Sequence, residues 1–312
     1  MLDMILLGTG GGMPTPERNL SAALLNYKGH KILIDCGEGT QVSMKIARTG
    51  FKNIDIICIT HWHGDHIVGL PGLLATIANS GRIEPLTIIG PVGIKEVVNG
   101  LRIIVPYMTY ELNIIEHRNE TLNFTCTNEN LLLSDKGEIS INTLELEHSA
   151  PCIAYAFNIN RTPKFNLEKA LKNQVPKDIW NILQNGSSVN FQGKVYEPSE
   201  VLGEEREGIK FSYVTDTLPI DNIVSFVEKS DILICEGTYG KDDDKDKAIK
   251  NKHMTFSQAA LIAKKAQVKE LMLTHFSTAM ENPHQFIHFA KDIFPNVQIG
   301  EDRMTKTLTF EK

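Results

Sequence analysis

The sequence predicts an α/β fold in which two similar halves, built on mixed sheets, pack face to face. Short apolar runs rich in β-branched residues alternate with segments of helical character, and the second half of the chain repeats the pattern of the first. Strands are predicted at 4–8, 31–36, 54–60, 86–90, 139–148, 152–159, 209–216, 231–237 and 269–275, and helices at 40–50, 72–80, 255–268 and 283–292.

Length and composition agree with one large domain. The chain has 312 residues, of which 42% are hydrophobic, so a sizeable core is available. We expect a single domain over residues 1–312 with an inserted arm at about 160–200, where polar edges and a short helix interrupt the pattern. Residues 161–177 of this arm contain five basic residues and one acidic residue. A second polar segment, 241–247, has mixed charges and predicts a solvated loop.

Charge and cysteine content limit the class of protein. A net charge of −6 argues against broad non-specific binding of nucleic acids, although a local basic patch is compatible with it. The five cysteines are scattered and form no CxxC pair, which predicts free thiols in a reducing cytosol. No signal peptide and no run of 18 apolar residues is found, so we expect a cytoplasmic protein without a membrane span.

A cluster of potential metal ligands follows the apolar run 54–60. His61, His63, Asp65 and His66 lie within six residues, at the end of a predicted buried strand. Imidazole and carboxylate groups suit zinc, manganese or iron(II). An open catalytic site normally takes three protein ligands, so four from one loop favour two metal ions.

Three more potential ligands occur in the same context. His148, Asp216 and His275 each end a strand-like run, and the "LMLTH" before His275 resembles the "ICITH" before His61. The "GTGGG" run after the first strand does not match GxGxxG, because position 13 is Met. We therefore expect its glycines to allow close backbone packing beside the metal site.

With these motifs the sequence resembles the metallo-β-lactamase superfamily and, within it, the ribonuclease Z family of tRNA 3′-processing endonucleases. "HWHGDH" matches the superfamily hallmark, "DCGEGTQ" and "HGDHIVGLPGLL" are close to the family's forms, and the likeness runs nearly end to end. The resemblance implies a four-layer αβ/βα sandwich, two zinc ions per subunit, a tRNA precursor as substrate and a homodimer. It implies one zinc on His61, His63 and His148, a second on Asp65, His66 and His275, and Asp216 between them.

The resemblance also implies functional residues beyond the metal ligands. His253 matches the family's catalytic histidine, and Glu236 matches the glutamate of the family's HEAT-type segment, which would orient the His253 ring. Two metals would lower the pKa of a water and stabilise the leaving oxygen, and we expect Asp65 to accept the proton of the attacking water. The arm resembles the family's tRNA-binding arm. The expected RNA contacts are Arg18, Arg161, Lys164, Lys169 and Lys172.

Other functions are compatible with parts of the pattern. The same fold could serve a general phosphodiesterase or other hydrolase that acts on a small or non-tRNA substrate. A non-hydrolytic metal-binding or RNA-binding protein would not need all seven candidate ligands. A flavo-diiron enzyme would need a further carboxylate in the motif, where Trp62 and Gly64 stand, and a flavin domain for which the chain has no room.

Overall fold

The computed structural model describes residues 1–117 and 119–311 of the chain. Two compact units are present. The larger contains residues 1–158 and 209–309, and the smaller contains residues 159–208 together with 310–311. The smaller unit overlaps the arm expected at about 160–200.

The strands of the structure match most of the predicted apolar runs. They are β1 (Leu2–Gly8), β2 (Gly10–Gly11), β3 (Ala22–Tyr27), β4 (His30–Ile34), β5 (Ile54–Cys58), β6 (Leu86–Gly90), β7 (Leu112–Glu116), β8 (Thr121–Cys126), β9 (Leu131–Ser134), β10 (Ile139–Leu146), β11 (Cys152–Arg161), β12 (Val189–Phe191), β13 (Lys194–Tyr196), β14 (Arg206–Val214), β15 (Ile232–Glu236), β16 (Leu271–Thr274), β17 (Phe276–Ser277), β18 (Val297–Ile299) and β19 (Thr305–Leu308).

The α-helices are short and lie between the strands. They are α1 (Thr40–Ile46), α2 (Gly64–Ile67), α3 (Leu70–Asn79), α4 (Ile94–Leu101), α5 (Leu167–Lys172), α6 (Trp180–Gln184), α7 (Asn222–Phe226), α8 (Lys245–Asn251), α9 (Phe256–Lys265) and α10 (Ile287–Lys291). Single 3₁₀ turns cover Arg102–Ile104, Lys177–Ile179, Pro198–Glu200, Asp242–Asp244 and Pro283–Phe286.

The first sheet has the strand order β19-β1-β3-β4-β5-β6-β7. Strands β4 to β7 run parallel, and the register pairs Ile34 with Cys58 and Cys58 with Ile89. The carboxyl ends of these strands are therefore level. Residues that follow them, such as Asp35 and His61, lie at one edge of the sheet, where α/β proteins place their sites.

The second sheet has the strand order β18-β16-β15-β14-β11-β10-β8-β9. Here β14, β15, β16 and β18 run parallel, and the register pairs Val214 with Cys235 and Cys235 with Leu273. Strand β15 ends at Glu236, and Asp216 and His275 follow the ends of its two neighbours. This sheet also brings its site residues to one edge.

Both sheets are covered on two faces, which is why their central strands are mostly apolar, with Asp55 in β5 and Glu236 at the end of β15 as the charged exceptions. Strands β5 and β15 are buried throughout. Alternate residues pack outward against helices: Ile57 and Ile59 join an apolar cluster with residues of α3 and α4, and Leu233 and Cys235 join one with residues of α9.

The opposite faces of the two sheets meet each other. The hydroxyl of buried Tyr155 in β11, a strand of the second sheet, lies 2.8 Å from the carbonyl oxygen of Ile59, directly after β5, and 3.0 Å from that of Ile89 in β6. The order of layers is helix, sheet, sheet, helix, and the predicted four-layer αβ/βα sandwich is confirmed.

Helix α9 begins with a capping box directly after the expected catalytic histidine. The Thr255 hydroxyl accepts a hydrogen bond from the backbone N–H of Gln258, and the Gln258 side chain accepts one from the backbone N–H of Thr255. This reciprocal pair of hydrogen bonds fixes the first turn of the helix. It thereby holds the preceding segment, which includes His253, in place.

The smaller unit has an apolar core of its own. It contains α5, α6 and the hairpin formed by β12 and β13. At the turn of the hairpin, Gln192 and Gly193 both have positive φ, as tight two-residue hairpin turns require. Its buried residues are Ala170, Val175, Ile179, Leu183, Tyr196 and Val201.

The prediction of a loop at 241–247 is wrong in its second part. Helix α8 starts at Lys245, and the 3₁₀ turn Asp242–Asp244 leads into it. The charged residues are solvated, as expected, but Ala248 is buried and gives the helix an inner face. The charge pattern of the sequence does not indicate that Ala248 is buried.

Candidate metal centre

The expected metal ligands lie at the carboxyl ends of strands from both sheets. The first sheet supplies the four residues of the HxHxDH motif, between β5 and the end of α2. The second sheet supplies one residue after each of β10, β14 and β16, namely His148, Asp216 and His275. The structure brings all seven residues into two adjacent clusters that could each hold a metal ion.

The first cluster consists of His61, His63, His148 and Asp216. Nδ1 of His63 lies 3.1 Å from Nε2 of His61 and 3.1 Å from Nε2 of His148. The second cluster consists of Asp65, His66, His275 and Asp216.

In the second cluster the Nε2 atoms of His66 and His275 are 3.1 Å apart. Oδ2 of Asp65 lies 3.3 Å from Nε2 of His275 and 3.5 Å from Nε2 of His66. Each cluster thus brings four ligand atoms around one point.

Asp216 belongs to both clusters, with one carboxylate oxygen in each. Its Oδ1 lies 3.2 Å from Nε2 of His275 and 3.5 Å from Nε2 of His66. Its Oδ2 lies 3.6 Å from Nε2 of His61 and 3.7 Å from Nε2 of His148. This is the arrangement of a carboxylate that bridges two ions.

These separations fit a metal ion at the centre of each cluster. Around a tetrahedral ion with ligands at about 2.0–2.1 Å, neighbouring ligand atoms are about 3.3–3.4 Å apart. The nitrogen and oxygen separations within the clusters, 3.1 to 3.7 Å, lie on both sides of that value. Imidazole and carboxylate donors are also the chemistry that zinc, manganese and iron(II) prefer.

The second ring nitrogen of four of the histidines is held by a neighbouring group, which fixes the ring with Nε2 toward the cluster. Nδ1 of His66 bonds Oδ2 of Asp35 at 2.8 Å, and Nδ1 of His148 lies 3.2 Å from the Lys252 carbonyl. Two threonines hold the others: Thr60 Oγ1 is 3.1 Å from Nδ1 of His61, and Thr238 Oγ1 is 3.0 Å from Nδ1 of His275.

Asp35 is a functional residue that the sequence reasoning did not single out. Its fully buried carboxylate accepts hydrogen bonds from the backbone N–H and hydroxyl of Thr60 as well as facing His66. Asp35 directly follows β4, so the strand-end criterion that found Asp216 would have found it too. Thr60 and Thr238, in contrast, carry no signal in a single sequence.

The electrostatics favour the protonation states that metal binding needs at His61, His148 and Asp216, but not at His66. Burial would lower the pKa of His66, but Asp216 and Asp35 outweigh it and raise this pKa well above its ordinary value, so a metal ion there must displace a proton. Burial, reinforced by His66, keeps the pKa of His61 well below its ordinary value, and burial also lowers the pKa of His148. Burial alone would raise the pKa of Asp216, but the imidazoles of His275 and His66 outweigh it and hold this pKa well below the usual range. Neutral imidazoles and ionised carboxylates are the ligand forms.

His253 and Glu236 form a pair at the edge of the clusters. Nδ1 of His253 lies 3.2 Å from both carboxylate oxygens of Glu236, and its ring stacks 5.5 Å from that of His275. Burial would lower the pKa of His253, but Glu236 outweighs this effect and raises the pKa to about 9.

Glu236, His253 and His275 are also close enough together to resemble a metal site. The oxygens of buried Glu236 already accept hydrogen bonds from the backbone N–H groups of Thr217 and Met254 and from the Thr238 hydroxyl. A carboxylate with these donors on it has little capacity left for a cation. Its geometry is that of a group that orients His253.

Gly11 shows why glycines precede the site. A side-chain carbon at this position would lie 2.4 Å from the His275 ring, so only glycine lets the imidazole pack against the backbone. Strand β2, which contains Gly11, pairs with β17, which directly follows His275. The close backbone packing expected for the "GTGGG" run is present.

A cavity of about 340 Å³ lies over the two clusters. Besides Asp65 and His253, its lining includes Tyr239, Asn251 and Ser149. The Asn251 amide donates a hydrogen bond of 2.6 Å to the Tyr239 hydroxyl. The sequence reasoning missed these three polar residues, which are in position to contact a substrate.

Arg18 lines a different cavity. Its guanidinium donates hydrogen bonds to the carbonyl oxygens of Met280 (3.0 Å) and Glu281 (2.5 Å) and lies over the Phe276 ring. These contacts tie it to the segment after His275. A direct contact between Arg18 and RNA stays a prediction.

The four predicted contacts in the arm belong to the smaller unit and differ in their surroundings. Arg161 donates to the Glu311 carbonyl and lies over the Phe310 ring, and Lys169 donates to the Leu202 carbonyl. The side chains of Lys164 and Lys172 are exposed.

The chain resembles known proteins over its full length. Residues 2–181 match the family model described as anti-Pycsar protein Apyc1. Ribonuclease Z of Clostridium tetani (strain Massachusetts / E88) is 74% identical over 311 residues, and the match covers 100% of both chains.

Solved structures agree with this result. Human tRNase Z, short form (ELAC1), has a TM-score of 0.69 and 26% identity, covering 99% of this chain and 100% of that one. The metallo-β-lactamase fold protein YhfI from Bacillus subtilis has a TM-score of 0.66 and 19% identity, covering 98% of each chain, which concerns the fold alone.

The four layers are those of the metallo-β-lactamase fold, and the ribonuclease Z relatives together with the two histidine–carboxylate clusters define a metal-dependent enzyme. The chain belongs to the ribonuclease Z family and, through residues 2–181, to the sequence family that the Apyc1 model describes. The resemblance that the sequence motifs indicated is confirmed.

We predict that Asp35→Asn lowers the affinity for Zn²⁺ by about 10- to 100-fold, because the substitution removes the charge that orients His66. Competition with a chromogenic chelator measures this affinity. The matched control is Asp55→Asn, since Asp55 is also buried and bonds a histidine, His30, at 2.7 Å, away from the clusters. Equal metal affinity in wild type and Asp35→Asn would contradict the role of Asp35.

Proposed function

We propose that this protein removes the 3′ trailer from tRNA precursors by metal-dependent hydrolysis of one phosphodiester bond. The observation that carries the proposal is the carboxylate of Asp216, which has one oxygen in each of two ligand clusters. Membership of the ribonuclease Z family confirms the predicted enzyme class, a metal-dependent endoribonuclease, and the similarity to human tRNase Z supports a tRNA substrate.

The first cluster would hold one divalent ion and the second cluster another, with Asp216 shared. We assign zinc, since histidine-rich four-ligand clusters suit it, and manganese or iron(II) are the alternatives that the same donors accept. When bound, such a pair of ions supplies an acidified water and neutralises charge on the phosphate and the leaving oxygen. The remaining steps depend on side chains of this chain.

Asp65 is the proposed general base. The backbone N–H of Gly12 donates a hydrogen bond of 2.7 Å to its Oδ2, the oxygen that also faces His275 and His66. Its carboxylate lines the cavity over the clusters. Its Oδ1 is the atom that would take the proton of the attacking water.

His253 is the proposed proton donor to the leaving 3′-oxygen. It lines the same cavity, and Glu236 holds its Nδ1, so that Nε2 is the nitrogen left for the substrate. Glu236 acts through His253 and is therefore a positioning residue. Its bonds to two backbone N–H groups keep it in place.

The arm is proposed to bind phosphates of the tRNA away from the cut. Its five basic residues between 161 and 177 give this part of the smaller unit a positive surface although the whole protein is acidic. Lys164, Lys169, Lys172 and Lys177 are exposed, and Lys169, like the half-buried Arg161, also makes a contact inside the unit. Recognition of backbone and shape would suit many different tRNAs.

We further propose that the protein acts as a cytoplasmic homodimer. Val42 and Ile46 are one turn apart on α1 and are 60% and 59% exposed, which leaves an apolar strip for a second copy. The five cysteines are unpaired, which suits a reducing compartment. Within the described part of the chain, no helix is long and apolar enough to cross a membrane.

A general phosphodiesterase remains the second candidate function. One observation favours it: the cavity over the two clusters is lined entirely by residues of the larger unit, so the chemistry itself needs nothing from the arm. Two separate substrates distinguish the two functions. One is a tRNA precursor with a 3′ trailer, and the other is a small phosphodiester.

We predict that the purified enzyme cuts a tRNA precursor after the acceptor stem and that a chelator abolishes cutting. Asp65→Ala should lower kcat by at least about 10²–10⁴-fold, because the proposed base and a ligand of the second cluster are both lost, while binding of the precursor persists. The control is Asp246→Ala, on the exposed side of α8. If the enzyme hydrolyses the small phosphodiester but leaves the precursor intact, the protein is a general phosphodiesterase.

The arm gives a separate prediction. Lys164→Glu combined with Lys172→Glu should raise KM for the precursor by about tenfold and weaken its salt dependence, since phosphate contacts release counterions. The matched control is the double variant Lys264→Glu and Lys265→Glu, which reverses the charge of two exposed lysines at the end of α9. Unchanged KM in the arm variant would refute the proposed contacts.

A further inference from the structure

Helix α8 ends in the turn that carries His253. The backbone N–H of His253 donates a hydrogen bond of 2.8 Å to the Ala248 carbonyl, and the N–H of Lys252 donates one of 3.1 Å to the Ile249 carbonyl. This pair of bonds is the Schellman motif, a common end of an α-helix. His253 directly follows the turn residue Lys252, so the conformation of Lys252 sets the position of the proposed proton donor.

The residue in the turn is not the one that the backbone prefers. Lys252 is in the left-handed region, with φ 57° and ψ 53°. Glycine usually occupies this position of the motif, because a Cβ atom in the left-handed conformation comes too close to the following carbonyl oxygen. The end of the helix therefore gains nothing from a lysine. The contacts of the lysine side chain lie elsewhere.

Lys252 makes two hydrogen bonds with a single residue of the first cluster, His148. Its Nζ donates to the His148 carbonyl at 3.2 Å, and its own carbonyl oxygen lies 3.2 Å from Nδ1 of His148. Nζ also lies 3.9 Å from the Glu147 carboxylate. Glycine could offer the carbonyl oxygen but not the ammonium group. The lysine thus holds the backbone of the same residue whose imidazole it orients.

These contacts connect the first cluster with the proton donor. Lys252 is bonded to His148 in space and to His253 in sequence, and the two imidazole rings lie 5.3 Å apart. Beyond His253, the N–H of Tyr239 donates to the Met254 carbonyl at 3.2 Å, and the capping box of α9 follows. The donor is therefore fixed on both sides, and its distance from the first cluster depends on Lys252.

We propose that Lys252 is a positioning residue, which holds His253 at the correct distance from the first metal cluster. The proposal rests on the part of the proposed function in which His253 gives its proton to the leaving oxygen. Proton transfer requires hydrogen-bond reach, and a misplacement of about 1 Å can cost a reaction about 10²-fold. A strained lysine at the turn is retained because its ammonium group fixes this distance.

Lys252→Gly separates this role from a role in folding. The variant relieves the positive φ, so the melting temperature of the metal-free protein should stay equal or rise. In contrast, the affinity for one of the two Zn²⁺ ions should fall about tenfold, because the partner that holds His148 is weakened. Precursor cleavage should also slow about tenfold in kcat with little change in KM. Thermal unfolding, chelator competition and steady-state kinetics measure the three quantities.

The leaving group shows whether His253 is displaced. At saturating Zn²⁺, Lys252→Gly should still cleave the precursor about tenfold more slowly than wild type. A nitrophenyl phosphodiester should be hydrolysed at the wild-type rate, since a nitrophenolate leaves without a proton donor. Lys252→Met, which removes only the ammonium group, should behave like Lys252→Gly in kcat, and Lys252→Arg, which keeps a cationic donor, should restore most of the rate.

The matched control is Lys229→Gly. Lys229 is an exposed lysine that also has a positive φ, 55°, and it belongs neither to the clusters nor to the cavity over them. The same relief of strain is therefore made at a site without a link to His148. This variant should keep the kcat and both zinc affinities of wild type.

Wild-type kcat and zinc affinity in Lys252→Gly would overturn the proposal and leave the proposed function in place. Equal slowing of the precursor and the nitrophenyl ester at saturating Zn²⁺ would also overturn it, because the defect would not concern the proton donor. If wild type cleaves no precursor, the proposed function fails. The comparison then uses a small phosphodiester with an alcohol leaving group in place of the precursor, and the same two outcomes decide the role of Lys252.

Discussion

The carboxylate of Asp216 must face two groups of imidazoles at once, and the rest of the structure serves this geometry. One oxygen lies among residues His66 and His275, the other near His61 and His148. The ligands come from two different sheets. The position of one sheet against the other therefore sets the distances between the ligands, and packing between the sheets and the bonds of the Tyr155 hydroxyl hold that position.

The chain accepts local backbone strain at the same place. Asp35, Asp216 and His275 all have positive φ, at 57°, 44° and 58°, although none of them is glycine. Residues held in this region cost about 1–3 kcal/mol each and persist only where their surroundings determine them. Each of the three directly follows a strand or lies two residues beyond its end, where the backbone must turn sharply to aim a side chain at the clusters.

Much of the fold and site could be predicted because strand ends carry a pattern. Four apolar runs that end in His or Asp, together with the HxHxDH motif that starts at the end of one of them, gave the seven expected ligands, and the structure brings them together. The residues that hold those ligands were not predictable in the same way. Thr60 and Thr238 matter through their distance to an imidazole, which follows from tertiary packing. The helix at Lys245–Asn251 escaped for a similar reason, since only the burial of Ala248 distinguishes it from a solvated loop.

Calorimetric titration of metal-depleted protein with Zn²⁺ measures the number and the affinity of the bound ions, and so tests the role of the shared carboxylate. Wild type should bind two ions per chain. His61→Ala should weaken one of them, whereas Asp216→Gly, which relieves the positive φ while removing the carboxylate, should weaken both. A single ion in wild type, or an Asp216→Gly variant that loses affinity at only one position, would contradict a site built around Asp216.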